Sequence, residues 1–249
     1  MLRLIIAVIF FLIFYIGFLP VLAVLYIVRH FNKNAALNAA TLIIRCFMNI
    51  ELFITGTKVI AEGTENIPDD RSVLFVGNHR SDFDILVTYK CMTRPVGYVA
   101  KASMAKIPIM AQWMDMIACL FLDRENARAG LKTILAAIEQ LKGGTNVFIF
   151  PEGTRNRSED HDVPMEFKEG SLKIAQKAKA PIVPVVIRDT EKIFEDHKPL
   201  IKAETVRVRF LKPIYTEDIP EEYRKTPAEY VRGLIADELK LMKKETNNS

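Results

Sequence analysis

Thiols are scarce in this chain: Cys46, Cys91 and Cys119 are all that 249 residues contain. They are an odd set without C-x-x-C spacing, which excludes a disulfide framework and argues against a structural zinc site. They read as buried thiols of a reducing compartment. The four histidines, His30, His79, His161 and His197, are scattered, and no H-E-x-x-H pair exists to hold a catalytic metal. A P-loop, a G-x-G-x-x-G fingerprint and a G-x-S-x-G nucleophile elbow are all missing, as are internal repeats and low-complexity segments. Net charge is small too, at +4. With half the residues apolar and a quarter charged, disorder, a collagen-like repeat and a polytopic membrane protein are excluded.

The charge that is present is unevenly placed. Residues 1–55 carry Arg3, Arg29, Lys33 and Arg45 against Glu51 alone, while the remainder holds 30 basic and 29 acidic residues. A nearly neutral soluble part without a basic stripe argues against nucleic-acid binding. An excess confined to the most apolar part points to a membrane surface. From Leu4 to Val28 there is no charge at all. As a helix this run would extend about 37 Å, against roughly 30 Å of hydrocarbon. Arg3 and Arg29 flank it as interfacial anchors would. It is too long for a signal-peptide core and has no A-x-A site after it. Pro20 falls inside it, and a second stretch, Ala35–Ile54, is interrupted by Arg45, Asn49 and Glu51 and reads as amphipathic. Two arrangements stay open: a spanning first helix with a surface helix, or a hairpin sunk into one leaflet.

After Ile54 the pattern changes. Lys58–Glu62, Ser72–Gly77, Gly97–Ala100, Cys119–Leu122, Val147–Phe150, Ile182–Ile187 and Thr205–Leu211 read as strands. Ser81–Tyr89, residues 127–142, Gly170–Lys179 and Thr226–Lys244 read as helices. Ser81 and Asp82 are candidate N-caps of the first, and Leu131, Ile134, Leu135, Ile138 and Leu141 form the apolar face of the second. Alternating strands and helices predict an α/β domain over 55–249 with a mixed, mostly parallel sheet flanked by helices, preceded by the anchoring segment 1–54.

Four constellations carry chemistry. In Asn78-His79-Arg80-Ser81-Asp82-Phe83-Asp84, between a strand and a helix, Asp84 can fold back onto His79. A carboxylate on one ring nitrogen leaves the other as a base for a hydroxyl. On spacing alone, a capping cluster with an incidental histidine fits as well. Phe150-Pro151-Glu152-Gly153-Thr154-Arg155 also follows a strand. Its glycine permits close backbone approach, and Thr154 and Arg155 offer donors to a phosphate or carboxylate, unless it is an ordinary surface turn. Phe121-Leu122-Asp123-Arg124 places an arginine at a strand end, as an anion ligand or in a local ion pair. Val183-Pro184-Val185 puts a proline in an apolar strand, the mark of an edge or a bulge.

In order and spacing these four resemble the motifs of the glycerolipid acyltransferases, over about residues 55–215. The nearest family is the 1-acyl-sn-glycerol-3-phosphate acyltransferases. The resemblance implies acyl transfer from acyl-CoA or an acyl-carrier protein to the sn-2 hydroxyl of lysophosphatidate, at the cytoplasmic side of a membrane. It makes His79 the base and Asp84 its orienting partner. Arg124, Glu152, Gly153, Thr154 and Arg155 go to the glycerol-phosphate end, with Lys101 in a Lys-x-Glu-like stretch and Pro184 shaping the pocket. Glu152, which cannot accept a phosphate, is expected to order Arg155 or a glycerol hydroxyl. No metal and no cofactor beyond the thioester substrate is implied. Ala118 and Ala111 stand where the family often has glycine, and Ser103 where it has Glu. A different acceptor, such as glycerol 3-phosphate or another lysophospholipid, fits the same motifs. So does a hydrolase in which His79 activates water. A non-catalytic lipid binder would have no use for the His79/Asp84 pair.

Overall fold

The structure, a computed structural model, describes residues 1–247. Seven strands form one sheet: β1 (Lys58–Glu62), β2 (Leu74–Gly77), β3 (Val96–Lys101), β4 (Leu120–Leu122), β5 (Asn146–Ile149), β6 (Ile182–Arg188) and β7 (Thr205–Phe210). Their order is β1-β7-β6-β2-β5-β3-β4, and every pair is parallel except β6 with β7. The expected α/β architecture is therefore present. β2, β3, β4, β5 and β6 end at the same edge of the sheet, where open α/β folds place ligands.

Helices cover both faces. α1 (Leu2–Gly17), α2 (Leu19–Phe31), α3 (Lys33–Thr55), α4 (Phe83–Cys91) and α5 (Met110–Met116) share one apolar cluster with Phe75, Tyr98, Phe148, Val185 and Phe210 of the sheet. α6 (Ala127–Lys142), α7 (Glu169–Ala178) and α8 (Pro227–Asn247) close over Leu74, Val76, Val147, Ile149 and Val186 on the other face. Alternating residues of β2 and β5 serve opposite layers, as a fully covered parallel sheet requires. In α6, however, Ile138 and Leu141 are buried while Leu131 and Leu135 face solvent. The predicted stripe is thus only half right: the packed face is completed by Ala137 instead.

Pro184 is not at an edge. β6 lies between β2 and β7. The missing N–H is accommodated by a bulge: Val185 pairs with Phe210 while Ile182 bridges Ile214, so the β7 side carries one residue more. Ala118 adopts φ 60°, a left-handed conformation that costs a non-glycine residue roughly 1–2 kcal/mol. Its carbonyl oxygen lies where a Cβ on Gly97 would be, at 1.8 Å, so β3 can approach the α5–β4 turn only because residue 97 is glycine.

The apolar N-terminal run is not one straight helix. α1 and α2 meet at Phe18 with a bend of 48°, and Pro20 sits in the first turn of α2, where a missing N–H is harmless. α3 is continuous over 23 residues, capped by Asn32, and is long and apolar enough to cross a membrane. Large apolar side chains of α1 (Ile5, Ile9, Leu12, Ile13, Ile16) point outward into solvent. Two of the cations expected at a lipid surface are used within the protein: Arg29 pairs with Asp115, and Arg45 donates to the Met92 carbonyl at 2.8 Å. Tyr15 donates to the Pro108 carbonyl. Among the cysteines, Cys46 is exposed, against expectation, and Cys119 is buried. Burial pushes the Cys119 thiol up to about 12 and that of Cys91 to about 11, so neither is a nucleophile at neutral pH.

Candidate active site

His79 sits two residues beyond the end of β2, and Asp84 lies in the first turn of α4. The turn between them brings the carboxylate back onto the ring. His79 Nδ1–H donates to Asp84 Oδ2 at 2.8 Å. The same oxygen accepts the backbone N–H groups of Arg80 (2.7 Å) and Ser81 (2.9 Å), and Oδ1 accepts from the Thr190 hydroxyl. Asp84 is fully buried, and these four donors meet the demand of an enclosed carboxylate. With Nδ1 bound to Asp84, the acceptor lone pair of the neutral ring is on Nε2. Ser81 Oγ accepts from Phe83 N as an N-cap, whereas Asp82 makes no capping bond.

The loop after β5 holds His79 in place. Glu152 Oε1 accepts the His79 N–H at 2.6 Å and Oε2 accepts that of Met165 at 2.8 Å. The His79 carbonyl accepts from Asn156 N at 2.7 Å, and the imidazole stacks on Phe150 with centroids 4.2 Å apart. Burial raises the Glu152 carboxyl above its ordinary value, against the pull of those two N–H groups. Glu152 thus orders His79, where ordering of Arg155 or a ligand hydroxyl was expected.

His79 opens onto a cavity of about 770 Å³. Its inner part is apolar, lined by Phe11, Phe14, Phe47, Trp113 and Ile117. Lys101, Arg124, Gly153, Thr154 and Arg155 line the polar part. α1 and α3 supply nine of the lining residues, including Glu51, a buried carboxyl. Arg155 pairs with Asp82 and, at 3.4 Å, with Glu195. Lys101 and Arg124 have no acidic partner within ion-pair distance among the described residues. Burial lowers the Arg124 guanidinium somewhat from its ordinary value. Pro184 is not brought to the site. It lines no part of the cavity and shares its strand face with Ile182 and Val186, on the α7/α8 side.

This edge of the sheet therefore assembles a half-buried histidine on a buried carboxylate, an apolar recess and a cationic mouth. The sequence profile described as Acyltransferase matches residues 58–188, more than half of the chain and all four constellations. The chain belongs to the Acyltransferase family. It is 34% identical over 153 residues to a 1-acyl-sn-glycerol-3-phosphate acyltransferase of Borreliella burgdorferi, covering 61% of this chain and 60% of that one. To the protein of the same description in Saccharomyces cerevisiae it is 30% identical over 197 residues, covering 79% and 64%. The chain thus spans about three fifths of the length of these curated relatives. In fold it is similar to the crystal structure of the 1-acyl-sn-glycerophosphate (LPA) acyltransferase of Thermotoga maritima, with a TM-score of 0.80, 24% identity and coverage of 97% and 95%.

Within the acyltransferase domain, sequence reading missed three participants. Thr190 reaches Asp84 from just beyond β6, 106 residues along the chain. Phe150, quoted only as part of a motif, is the surface on which the imidazole rests. Asn78, also quoted, pairs through its side chain with both backbone groups of Ile187 and so locks the end of β2 to β6. The available signal for Thr190 was a polar residue two positions beyond an apolar strand.

Proposed function

We propose that the protein transfers an acyl chain from a thioester to the sn-2 hydroxyl of 1-acyl-sn-glycerol 3-phosphate, producing phosphatidate for phospholipid synthesis. The observation that carries this reading is the placement of the Asp84-bound His79 ring on a cavity that is apolar inside and cationic at the mouth. His79 Nε2 takes the proton of the acceptor hydroxyl as its oxygen attacks the thioester carbonyl. The tetrahedral intermediate collapses with cleavage of the carbon–sulfur bond, and the proton on His79 passes to the departing thiolate. Asp84 stabilises the imidazolium between these steps. General-base assistance supplies about 10²–10⁴-fold, and alignment of the two substrates much of the rest. The acceptor hydroxyl is itself the nucleophile, so the absence of a nucleophile elbow fits.

The acceptor phosphate goes to Arg124, Lys101 and the Gly153-Thr154-Arg155 loop, and the acyl chains to the apolar recess. Arg155 reaches a phosphate by loosening its hold on Asp82. The donor is acyl-CoA or an acyl-carrier protein arriving from the cytoplasmic side. The outward apolar residues of α1, with those of α2 and α3, lie in the bilayer, where the lysophosphatidate acceptor diffuses laterally. The test is labelled acyl thioester with a panel of lysophospholipid and glycerol 3-phosphate acceptors, beside a His79→Ala variant. Label should reach lysophosphatidate in a His79-dependent way. Thioester loss independent of every acceptor would make the protein a hydrolase, and transfer to a different acceptor would reassign the substrate.

A further inference from the structure

Gly153 has φ 79°, and the space that a side chain would occupy there is already bounded by cations. A Cβ built on it would lie 3.3 Å from Lys168 Nζ and 3.6 Å from Arg124 Nη1. The ammonium and the guanidinium therefore flank one point, close enough for a single tetrahedral anion to touch both. Lys168 lies outside all four constellations. It stands immediately before α7, where its backbone N–H binds the Pro151 carbonyl at 3.1 Å. That bond fixes the Lys168 backbone beside the start of the Glu152–Arg155 loop. No carboxylate approaches either cation within 4 Å among the described residues, although Lys142, Lys192, Lys240 and Lys243 all have acidic partners. Two like charges facing one gap repel each other, and an anion between them reverses the sign of that interaction.

We propose that Lys168 and Arg124 together clamp the phosphate monoester of the acceptor over Gly153. Lys168 is a further cation that favours a phosphorylated acceptor over a phosphate-free one. The inference rests on the acyl-transfer reading and adds a ligand to it. The glycine then has a concrete reason: any side chain at 153 would fill the seat between the two nitrogens. Arg124 supplies a planar fork and Lys168 a mobile point charge that closes from the solvent side.

Lys168→Gln and Lys168→Arg in the full chain test this. At saturating thioester, Lys168→Gln should raise KM for 1-acylglycerol 3-phosphate about tenfold, with the loss in KM rather than kcat. Its preference for that acceptor over 1-monoacylglycerol should fall by a similar factor, and Lys168→Arg should restore both. Equilibrium binding of sn-glycerol 3-phosphate, read without turnover, should weaken in parallel. Unaltered binding and KM in Lys168→Gln overturn the clamp, and so does an equal loss on the phosphate-free acceptor. A KM increase that falls on acyl-CoA instead assigns Lys168 to the donor's phosphates and also overturns it. Failure of the wild-type protein to acylate lysophosphatidate would sink the acyl-transfer reading alone, since the binding measurement judges the clamp separately.

Discussion

Two histidine–carboxylate pairs of similar geometry lie near each other in this fold. His79 meets Asp84 at 2.8 Å, and His161 meets Glu191 at 2.6 Å. The second carboxylate is also buried, and Thr190, the residue before it, serves the first pair. What differs is the surroundings. Asp84 accepts four hydrogen bonds, whereas Glu191 Oε2 is buried without a partner. Arg80 Nε, also unpartnered by a hydrogen bond, is 3.7 Å from the other Glu191 oxygen. Burial pushes the Glu191 carboxyl upward, opposed by its own backbone bond, Arg80 and His161. Above all, His79 opens on the large cavity and His161 does not. Only the first imidazole, then, stands where a molecule held in the cavity can reach its free nitrogen.

That contrast can be broken by mutation. His79→Ala should reduce acyl transfer by about 10²–10⁴-fold, measured as initial rate at saturating substrates. Asp84→Asn should follow at roughly 10²–10³-fold, because an amide in place of the carboxylate no longer fixes the tautomer or stabilises the imidazolium. Thr190→Val should lower turnover roughly tenfold by removing one donor to Asp84. By contrast, His161→Ala should leave turnover within about twofold, because His161 is half-buried and lines no part of the cavity. A rate loss in His161→Ala equal to that of His79→Ala would erase the distinction.

The smallest effect concerns acid stability of the loop that bears His161. Burial works against the ionised form of Asp162, but hydrogen bonds from Arg188 (2.7 Å) and Lys243 (2.6 Å) prevail and hold its carboxyl below the ordinary value. A lowered folded-state pKa adds stability above the unfolded aspartate value, and that stability is lost as pH falls through the folded value. Asp162→Asn should therefore lower stability at neutral pH and flatten its decline below about pH 4, followed by denaturant unfolding at several pH values.

Short-range structure was readable because its periodicity is local. β1 and α6 lie where alternation and the 3.6-residue repeat place them. The His79–Asp84 pair was readable for the same reason, five residues and one turn apart. His161 and Glu191 are 30 residues apart, and Thr190 and Asp84 106, so only the sheet order joins them. Leu131 and Leu135 were misplaced because a helical repeat gives a face without saying how much of it is covered. Glu152 was misassigned because its acidity was weighed and its two backbone partners were not visible. Arg155 reads as a free anion ligand in sequence, yet Asp82 and Glu195 converge on it from two other segments.

The bent α1–α2 pair and α3 also change what kind of part the N-terminus is. A membrane tether can be exchanged for any other tether of similar length and greasiness. Phe11, Phe14, Ile44, Phe47 and Met48 are instead surfaces of the recess beside His79. Arg29 and Arg45 further fasten these helices to Asp115 and the Met92 carbonyl. Replacing residues 1–54 with an unrelated apolar helix would therefore remove one wall of the recess. The recess is built from residues on both sides of the point where hydropathy changes.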